Sequence, residues 1–424
     1  MPRRFWLLFH RYAGLGMAVF LVLVGLTGSI LAFNQELNEW LNPQRDRVAV
    51  QSTPLLGPFA LREIAQKLVP DGYNSYVDLH VKADRVYEIM FAPPVDSSTG
   101  KYGKTGYVTL KLDPYTGAEL SRSDPSIYQP SYWPLHRGNI MDFIWHLHVQ
   151  LVMGHTGSVV LGIVALVWVI DCFVGFYLTL PVRSASGHEP RVSRISRWRT
   201  AWKVKWPTSF IRLNFDLHRA GGLLTWVMLF MFAWSSGTFN LPEVFHPVND
   251  FAFGKRPEWK SQVVLSPRFD PPVDLRTALT IGQQLMAEQS RVHRFKVLQD
   301  RYIAYNPEGH YYSFGVNGDA LFGVQDTTYI TFDAEKQQVL FLYMPSGLHA
   351  SVTLINWLSG LHTAAIWGLP YQVVVCVMGL VITMLSLTGV YIWWKKRVAK
   401  TAMAARGRMQ AARTGAQQAP SAYS

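Results

Sequence analysis

Two histidine motifs recur at apolar stretches of the chain, and they are the residues best suited to chemistry. His10-Arg11-Tyr12-Ala13-Gly14 opens the first apolar stretch, and His218-Arg219-Ala220-Gly221-Gly222 opens the third. His148 heads the second stretch and His362 heads the fourth, and a glycine follows each of them six residues later. Ionisable side chains at membrane depth are costly and usually functional, and neutral imidazole is a common axial ligand of haem iron. The pattern predicts a helical bundle that carries haem.

Four stretches exceed the roughly 18 apolar residues that a spanning helix requires. They cover about residues 5–33, 147–180, 223–241 and 355–394. The net charge is +12, and the basic excess lies mainly in residues 182–212 and 395–413, which carry eight and seven Lys or Arg. Such clustering follows the positive-inside rule. It predicts cytoplasmic termini, a cytoplasmic middle loop and contact with anionic membrane lipid, and it argues against nucleic acid as a partner.

The matched spacing of the two pairs of histidines indicates an internal duplication with parallel halves. Each half is predicted to run from a helix through an external α+β domain to a second helix. The predicted segments are transmembrane helices at 1–34, 140–181, 211–241 and 354–394, external domains at 35–139 and 242–353, a basic cytoplasmic loop at 182–210, and a disordered basic tail at 395–424.

The external segments contain local signals for helices, strands and turns. Residues 58–68 are amphipathic, and Asp274 is a predicted N-cap of a helix that continues to about residue 289. Alternating runs predict strands at 75–81, 85–92, 106–112, 118–121, 294–299, 302–306, 311–316, 328–333 and 338–343. A turn is predicted at Asp113-Pro114-Tyr115-Thr116-Gly117.

The H-R-x-x-G helices, the H-x(5)-G helices and the Asp113–Gly117 turn together resemble the PepSY-associated transmembrane helix family, over nearly the whole chain. That family includes iron-regulated inner-membrane proteins and ferric-siderophore reductases. The resemblance implies a membrane α-helical bundle of four transmembrane helices with two periplasmic α+β PepSY-like domains, located in the bacterial inner membrane. The second domain carries Asp333-Ala334-Glu335-Lys336-Gln337 in place of the turn, which weakens the view that both domains bind one ligand.

Depth in the membrane predicts how the histidines pair. The stretch from His10 to Phe33 is roughly 35 Å of helix, so His10 is expected to pair with His218, and His148 with His362. Each pair would hold one haem b, which gives one or two haems. Gly14 and Gly222, one turn after their histidines, would leave room for a flat macrocycle. Arg11 and Arg219 are interpreted as headgroup anchors or as partners of a haem propionate.

Two further ionisable residues lie in the second stretch. His155 is seven residues after His148 and therefore on nearly the same helical face, about 10 Å deeper, where it is a candidate ligand or proton donor. Asp171 is a candidate for proton transfer, although a simple pairing with a basic residue is favoured.

The predicted function is that of an oxidoreductase, a ferric-siderophore reductase that passes electrons outward to a chelate held by the external domains. Hard siderophore oxygens prefer Fe(III), so reduction releases iron. No nucleotide-binding or hydrolytic motif occurs, so a quinol or a cytoplasmic reductase is the expected electron donor. The alternative is a non-catalytic binding or regulatory protein whose external domains hold a peptide, a protease or an assembly partner.

Overall fold

The computed structural model describes residues 2–93, 95–96, 101–102, 106–123, 132–182, 193–257, 259, 267–319 and 327–417. The chain divides into two compact units. The helical unit comprises Met1–Phe33, Asp142–His246 and Leu369–Ser424, and the sheet unit comprises Asn34–Met141 and Pro247–Gly368.

The described residues form the following helices and strands. The helices are α1 Arg3–Leu31, α2 Asn34–Leu41, α3 Pro58–Leu68, α4 Ile140–Gln150, α5 His155–Thr179, α6 Arg194–Trp198, a 3-10 helix Arg199–Trp202, α7 Phe210–Leu224, α8 Trp226–Asn240, α9 Pro242–Phe253, α10 Leu275–His293, α11 Ala350–His362 and α12 Leu369–Gln417. The strands are β1 Tyr76–Asp78, β2 Tyr87–Phe91, β3 Val95–Asp96, β4 Lys101–Tyr102, β5 Val108–Leu112, β6 Glu119–Ser123, β7 Val297–Asn306, β8 Tyr311–Gly318, β9 Thr327–Asp333 and β10 Gln338–Tyr343.

Three helices of the helical unit, α1, α5 and α12, are long and apolar enough to cross a membrane. Helices α7 and α8 qualify together as a fourth, broken span, with a bend of 70° between them. The sequence predicted one helix at 211–241, with His218 opening its apolar stretch. In the structure α7 begins at Phe210, within one residue of the predicted start, but His218 lies in its second half and the helix ends at Leu224.

The second and fourth predicted helices are also broken. Helix α4 ends before a turn that finishes at Gly154 with φ 59°, and α11 ends before a turn that finishes at Gly368 with φ 61°. Backbone in this left-handed region interrupts an α-helix. His148 and His362 therefore lie in the last turns of α4 and α11, so the prediction that they head the spanning helices was wrong. The argument that placed His155 on the face of His148 fails for the same reason.

The basic tail is helical over most of its length. Helix α12 continues from the apolar span through Gln417, so the predicted disorder from residue 395 was wrong up to that residue. The tail is rich in Ala, Lys, Arg, Met and Gln, which are strong helix formers. Residues 418–424 lie outside the described part of the chain.

Small residues bring α1 and α12 into close contact. A Cβ atom at Gly25 would lie 2.7 Å from the carbonyl oxygen of Gly379, which leaves no room for a side chain there. The Ser29 hydroxyl donates a hydrogen bond of 2.8 Å to the carbonyl oxygen of Cys376 on α12. Close backbone approach and interhelical hydrogen bonds of this kind stabilise helix pairs in membranes, so α1 is held firmly along α12.

The larger sheet of the sheet unit is antiparallel, with the strand order β1-β7-β8-β9-β10. Helix α10 packs on one face of it, and the core includes Ile303, Phe314 and Phe332. Strand β1 comes from the first predicted domain and pairs with β7, and its Val77, only 1% exposed, joins the same core. The two predicted domains thus share a strand and form one compact unit.

A second, smaller sheet has the strand order β2-β5-β6 and packs against α3, whose predicted bounds are confirmed. Strands β3 and β4 pair separately. In the larger sheet, the predicted strands 294–299 and 302–306 are a single strand, β7, with two register shifts in its pairing to β8. Bulges of this kind bend a strand without ending it.

The hairpin turns β5–β6 and β9–β10 have the same geometry despite their different sequences. Asp113 accepts hydrogen bonds from the backbone N–H groups of the residues two and three positions later, and so does Asp333. Each turn ends in left-handed backbone, at Gly117 with φ 72° and at Gln337 with φ 52°. The sequence difference therefore does not change the turn.

Helix α10 begins as predicted, with Asp274 as its N-cap. The Asp274 carboxylate accepts hydrogen bonds from the backbone N–H groups of Arg276 and Thr277 and from the Thr277 hydroxyl. These donors, the Thr277 hydroxyl first, hold the pKa of Asp274 below its usual range. A carboxylate at a helix N-terminus also interacts favourably with the helix dipole.

Candidate functional site

The imidazole rings of His10 on α1 and His218 on α7 face each other in the helical unit. Their ring centroids are 6.0 Å apart, and the ring planes make an angle of 63°. The two residues are 208 positions apart in the chain. The sequence paired them by depth alone, and the helices of this unit bring them together.

The His10 ring is anchored by a carboxylate on α5. Its Nδ1 atom lies 2.9 and 3.0 Å from the two carboxylate oxygens of Asp171, a residue that is only 8% exposed. A carboxylate accepts hydrogen bonds, so Nδ1 carries the proton and donates it. The lone pair of the ring is then on Nε2, which is the arrangement of a metal-ligating histidine with an acceptor behind it.

The His218 ring is anchored by α12 through neutral groups. Its Nδ1 atom lies 3.0 Å from the carbonyl oxygen of Leu385 and 3.1 Å from the hydroxyl oxygen of Thr388. The Thr388 hydroxyl donates its own hydrogen to the Met384 carbonyl at 2.8 Å. Both neighbours therefore accept from Nδ1–H, and the lone pair of His218 is also on Nε2.

Glycines form the walls against which both rings lie. A Cβ atom at Gly175 on α5 would be 3.5 Å from Cε1 of His10, and one at Gly389 on α12 would be 3.2 Å from Cε1 of His218. Beside the histidines, the space is more open. Within the described residues, a Cβ at Gly14 would meet no atom within 4 Å, and the nearest atom to one at Gly222 would be 3.9 Å away.

His148 on α4 repeats this arrangement at the other end of α1. Its Nδ1 atom lies 3.0 Å from the hydroxyl oxygen of Thr27, whose own hydrogen is donated to the Leu23 carbonyl at 2.8 Å. A Cβ at Gly28 would be 3.0 Å from Cε1 of His148. Gly28 is 18 residues beyond His10, which is about 27 Å of helix. The helical unit therefore holds anchored imidazoles at two well-separated levels.

The other two candidate histidines are placed differently. His155 is the first residue of α5 and is exposed. His362 is the last residue of α11 and belongs to the sheet unit. Its pairing with His148 stays a prediction.

The two arginines that follow His10 and His218 differ in their contacts. Arg219 donates hydrogen bonds to the buried carboxylate of Asp216 at 2.9 Å and to the carbonyl oxygens of Thr200 and Ala201. It thereby ties α7 to the segment that precedes it, a role that the sequence did not indicate. Arg11 is half-buried, and within the described part of the chain it has no hydrogen-bond or ion-pair partner.

The groups that orient the rings were missed by sequence reasoning. Asp171 was expected to pair with a basic residue near the cytoplasmic end, and its partner is His10, a residue that the sequence did not single out for this pairing. Gly175 and Gly389 did carry a signal, because each stands two positions before a tyrosine, Tyr177 or Tyr391. That repeated spacing marked the two positions as equivalent, although it did not show that they face histidines.

Comparison with known proteins identifies the family of the chain. A family model described as the PepSY-associated TM region matches residues 7–396, a range that includes all five candidate histidines and most of each spanning helix. No curated protein gives a significant match. The chain is a multi-pass membrane protein, and it belongs to the family of the PepSY-associated TM region.

Proposed function

We propose that this protein is a membrane haem b protein that passes electrons to ferric siderophores. The observation that carries the proposal is the facing pair His10 and His218, each with Nδ1 donating to an acceptor and its Nε2 lone pair available to a metal. Membership of the family agrees with the proposal, and the identity of the substrate rests on the resemblance described above.

The spacing of the two rings fits haem iron. Bonds from a metal to imidazole nitrogen are about 2 Å long, so two imidazoles on opposite sides of one metal ion have their centroids about 6 Å apart. The observed separation is 6.0 Å. Bound here, haem iron would exchange single electrons between its Fe(II) and Fe(III) states.

The surrounding residues have defined roles in this proposal. Asp171 on one side, and Leu385 and Thr388 on the other, hold the two rings in the tautomer that ligation requires. Gly14 and Gly222 leave space beside the histidines for the macrocycle. Arg11, a half-buried cation, would pair with a propionate.

His148 is proposed as a ligand of a second haem. Its ring is anchored in the same way as those of His10 and His218, through Nδ1 and a glycine wall. Its separation of about 27 Å from the level of His10 is close to the thickness of a bilayer core. Two sites at these levels would carry electrons across the membrane.

The charge distribution supports an orientation in which both termini lie in the cytoplasm and the sheet unit lies in the periplasm of a bacterial inner membrane. A quinol or a cytoplasmic reductase would supply electrons. A ferric siderophore would accept one electron for each iron, and its hard oxygen donors hold the resulting Fe(II) less tightly.

Ferric-chelate reduction by the purified protein tests this proposal. The protein, reduced anaerobically with dithionite and freed of excess reductant, is mixed with a ferric trihydroxamate or tris-catecholate and an Fe(II)-specific chelator. We expect the haem spectrum to return to its oxidised form and one Fe(II) to appear for each haem. The gallium(III) chelate, which has the same shape and cannot be reduced, should leave the spectrum unchanged.

Two outcomes would contradict the proposal. A colourless, folded protein from haem-replete cells would favour the binding or regulatory alternative. A red protein that reoxidises equally fast with the gallium chelate and with the ferric chelate would rule out the chelate as its electron acceptor.

The glycine wall behind His218 gives a separate prediction. In Gly389→Ala the added methyl group would lie 3.2 Å from Cε1 of His218, and the ring must shift slightly. In Gly389→Val it must shift further. We expect haem content, measured as the pyridine haemochrome, to fall modestly in the alanine variant and several-fold in the valine variant, because overpacking displaces buried groups. Gly16→Val, at a spanning-helix glycine with open space, should retain haem. Full haem content in Gly389→Val would argue against His218 as a ligand.

A further inference from the structure

The two facing histidines differ in the charge of the group behind them. Nδ1 of His10 donates to a carboxylate, that of Asp171, whereas Nδ1 of His218 donates to a backbone carbonyl and a hydroxyl. His148, at the other level, also has a neutral hydroxyl partner, that of Thr27. The negative charge of Asp171 therefore lies directly behind His10, one of the two proposed ligands of the haem at this level.

The Asp171 carboxylate is directed at His10 rather than at a lysine or arginine. Both of its oxygens lie within 3.0 Å of the same Nδ1 atom. Among the described residues, no lysine or arginine forms an ion pair with it, whereas the other buried carboxylate of this unit, Asp216, pairs with Arg212 and Arg219. In the described part of the chain, the Asp171 carboxylate is therefore hydrogen-bonded to an imidazole and has no lysine or arginine beside it.

We propose that Asp171 is a positioning residue that lowers the reduction potential of the haem held by His10 and His218. The inference rests on the proposed function. A carboxylate that accepts from Nδ1–H draws that proton toward itself and makes the ring a stronger electron donor at Nε2. Greater donation, together with a nearby uncompensated negative charge in a medium of low dielectric constant, stabilises Fe(III) relative to Fe(II).

A low potential at this site has a functional consequence. Siderophores bind Fe(III) far more tightly than Fe(II), so their ferric complexes are hard to reduce. A haem with an anionic partner behind its ligand gives up its electron more readily than one with neutral partners. In the proposed orientation the His10–His218 site lies on the cytoplasmic side, so Asp171 would favour transfer of its electron to the outer haem at His148, which would pass it on to this poor acceptor.

Asp171→Asn is the direct test, measured by spectroelectrochemical titration of the purified, haem-loaded protein. Asparagine has nearly the same shape, and its Oδ1 atom can still accept from Nδ1–H of His10, so the charge is the principal change. We expect the midpoint potential of one haem, the one absent from His218→Ala, to move upward, with the other unchanged. Low-temperature electron paramagnetic resonance should show that the haem remains low-spin, with both imidazoles in place.

Two further variants make the test specific. Thr388→Val removes a neutral acceptor from His218 and leaves the Leu385 carbonyl, so we expect a much smaller shift. Asp171→Glu keeps the charge, so its midpoint should stay nearer the wild-type value than that of Asp171→Asn.

Three results would overturn the inference. These are an unchanged midpoint in Asp171→Asn, an equal shift in Thr388→Val, and loss of haem from both Asp171 variants, which would make Asp171 a determinant of haem binding instead. None of these results would contradict the proposed function. That proposal is contradicted by a different result, a wild-type protein that contains no haem.

Discussion

Replacing either His10 or His218 by glycine is expected to abolish one haem of the protein. Each residue supplies one of two facing imidazoles, and a haem that loses one of them keeps a single protein ligand in a site built for two. The measurements are the Soret absorption and the pyridine haemochrome of protein purified from haem-replete cells. Adding free imidazole to the His218→Gly protein should restore part of the low-spin spectrum, because the ligand can re-enter the space that the side chain left.

Histidines outside the pair provide the controls for this experiment. His80, whose ring contacts Gln299 in the sheet unit, and His155, exposed at the start of α5, should be replaceable by alanine with no loss of haem. Equal spectra for His10→Gly, His218→Gly and His80→Ala would remove both residues from the ligand set and leave the fold untouched.

Gly14→Leu is expected to remove the same haem without removing a ligand. A side chain at Gly14 would extend from α1 beside His10 into space where no atom of the described chain lies within 4 Å. The polypeptide alone should therefore tolerate leucine. If that space holds the macrocycle, leucine would exclude it, and we expect haem content to fall at least several-fold at unchanged expression and melting temperature.

Gly16→Leu is the matched control for this prediction. Gly16 lies two residues further along α1, so a side chain there would point to nearly the opposite side of the helix, and no atom of the described residues would lie within 4 Å of its Cβ. Both substitutions raise helix propensity by the same amount. Equal haem content in the two leucine variants would show that the space beside Gly14 is not where the macrocycle lies.

Local features of the fold were predictable because short-range physics decides them. The bounds of α3 and the N-cap at Asp274 follow from residues within one or two turns of each other. The breaks at the ends of α4 and α11 were not predictable in this way. They pass through left-handed backbone at Leu151, Val152 and Ala364, residues that ordinarily favour right-handed conformations and give no warning of a break.

The long-range pairing of strands could not be predicted from the sequence for a different reason. Strand β1 has three residues and pairs with a strand more than 200 positions away, and nothing in its alternating pattern indicates which sheet it joins. The turn at Asp333–Gln337 shows the opposite case. Its sequence departs from that of Asp113–Gly117, yet the side chain of the first aspartate forms the same hydrogen bonds and imposes the same geometry.

The sequence predicted that His10 and His218 lie together, and it missed the groups that hold their rings in place. Depth along the helices paired His10 with His218, because two imidazoles can share a metal ion only at one level. Asp171 could not be assigned to His10, since the face that α5 turns toward α1 depends on packing between helices 161 positions apart in sequence. The acceptors of His218 were equally hidden, because one of them is a backbone carbonyl and carries no sequence signal.

The number of haems bound per polypeptide in single and double variants tests the central claim, that His10 and His218 bind the same iron. Haem and protein are quantified together for the wild type, His10→Ala, His218→Ala and the double variant. We expect His10→Ala, His218→Ala and the double variant each to lose the same single haem. Adding His148→Ala to any of these variants should remove a second haem. If the single variants each lose one haem and the double variant loses two, the imidazoles serve separate sites, and the arrangement proposed here is wrong.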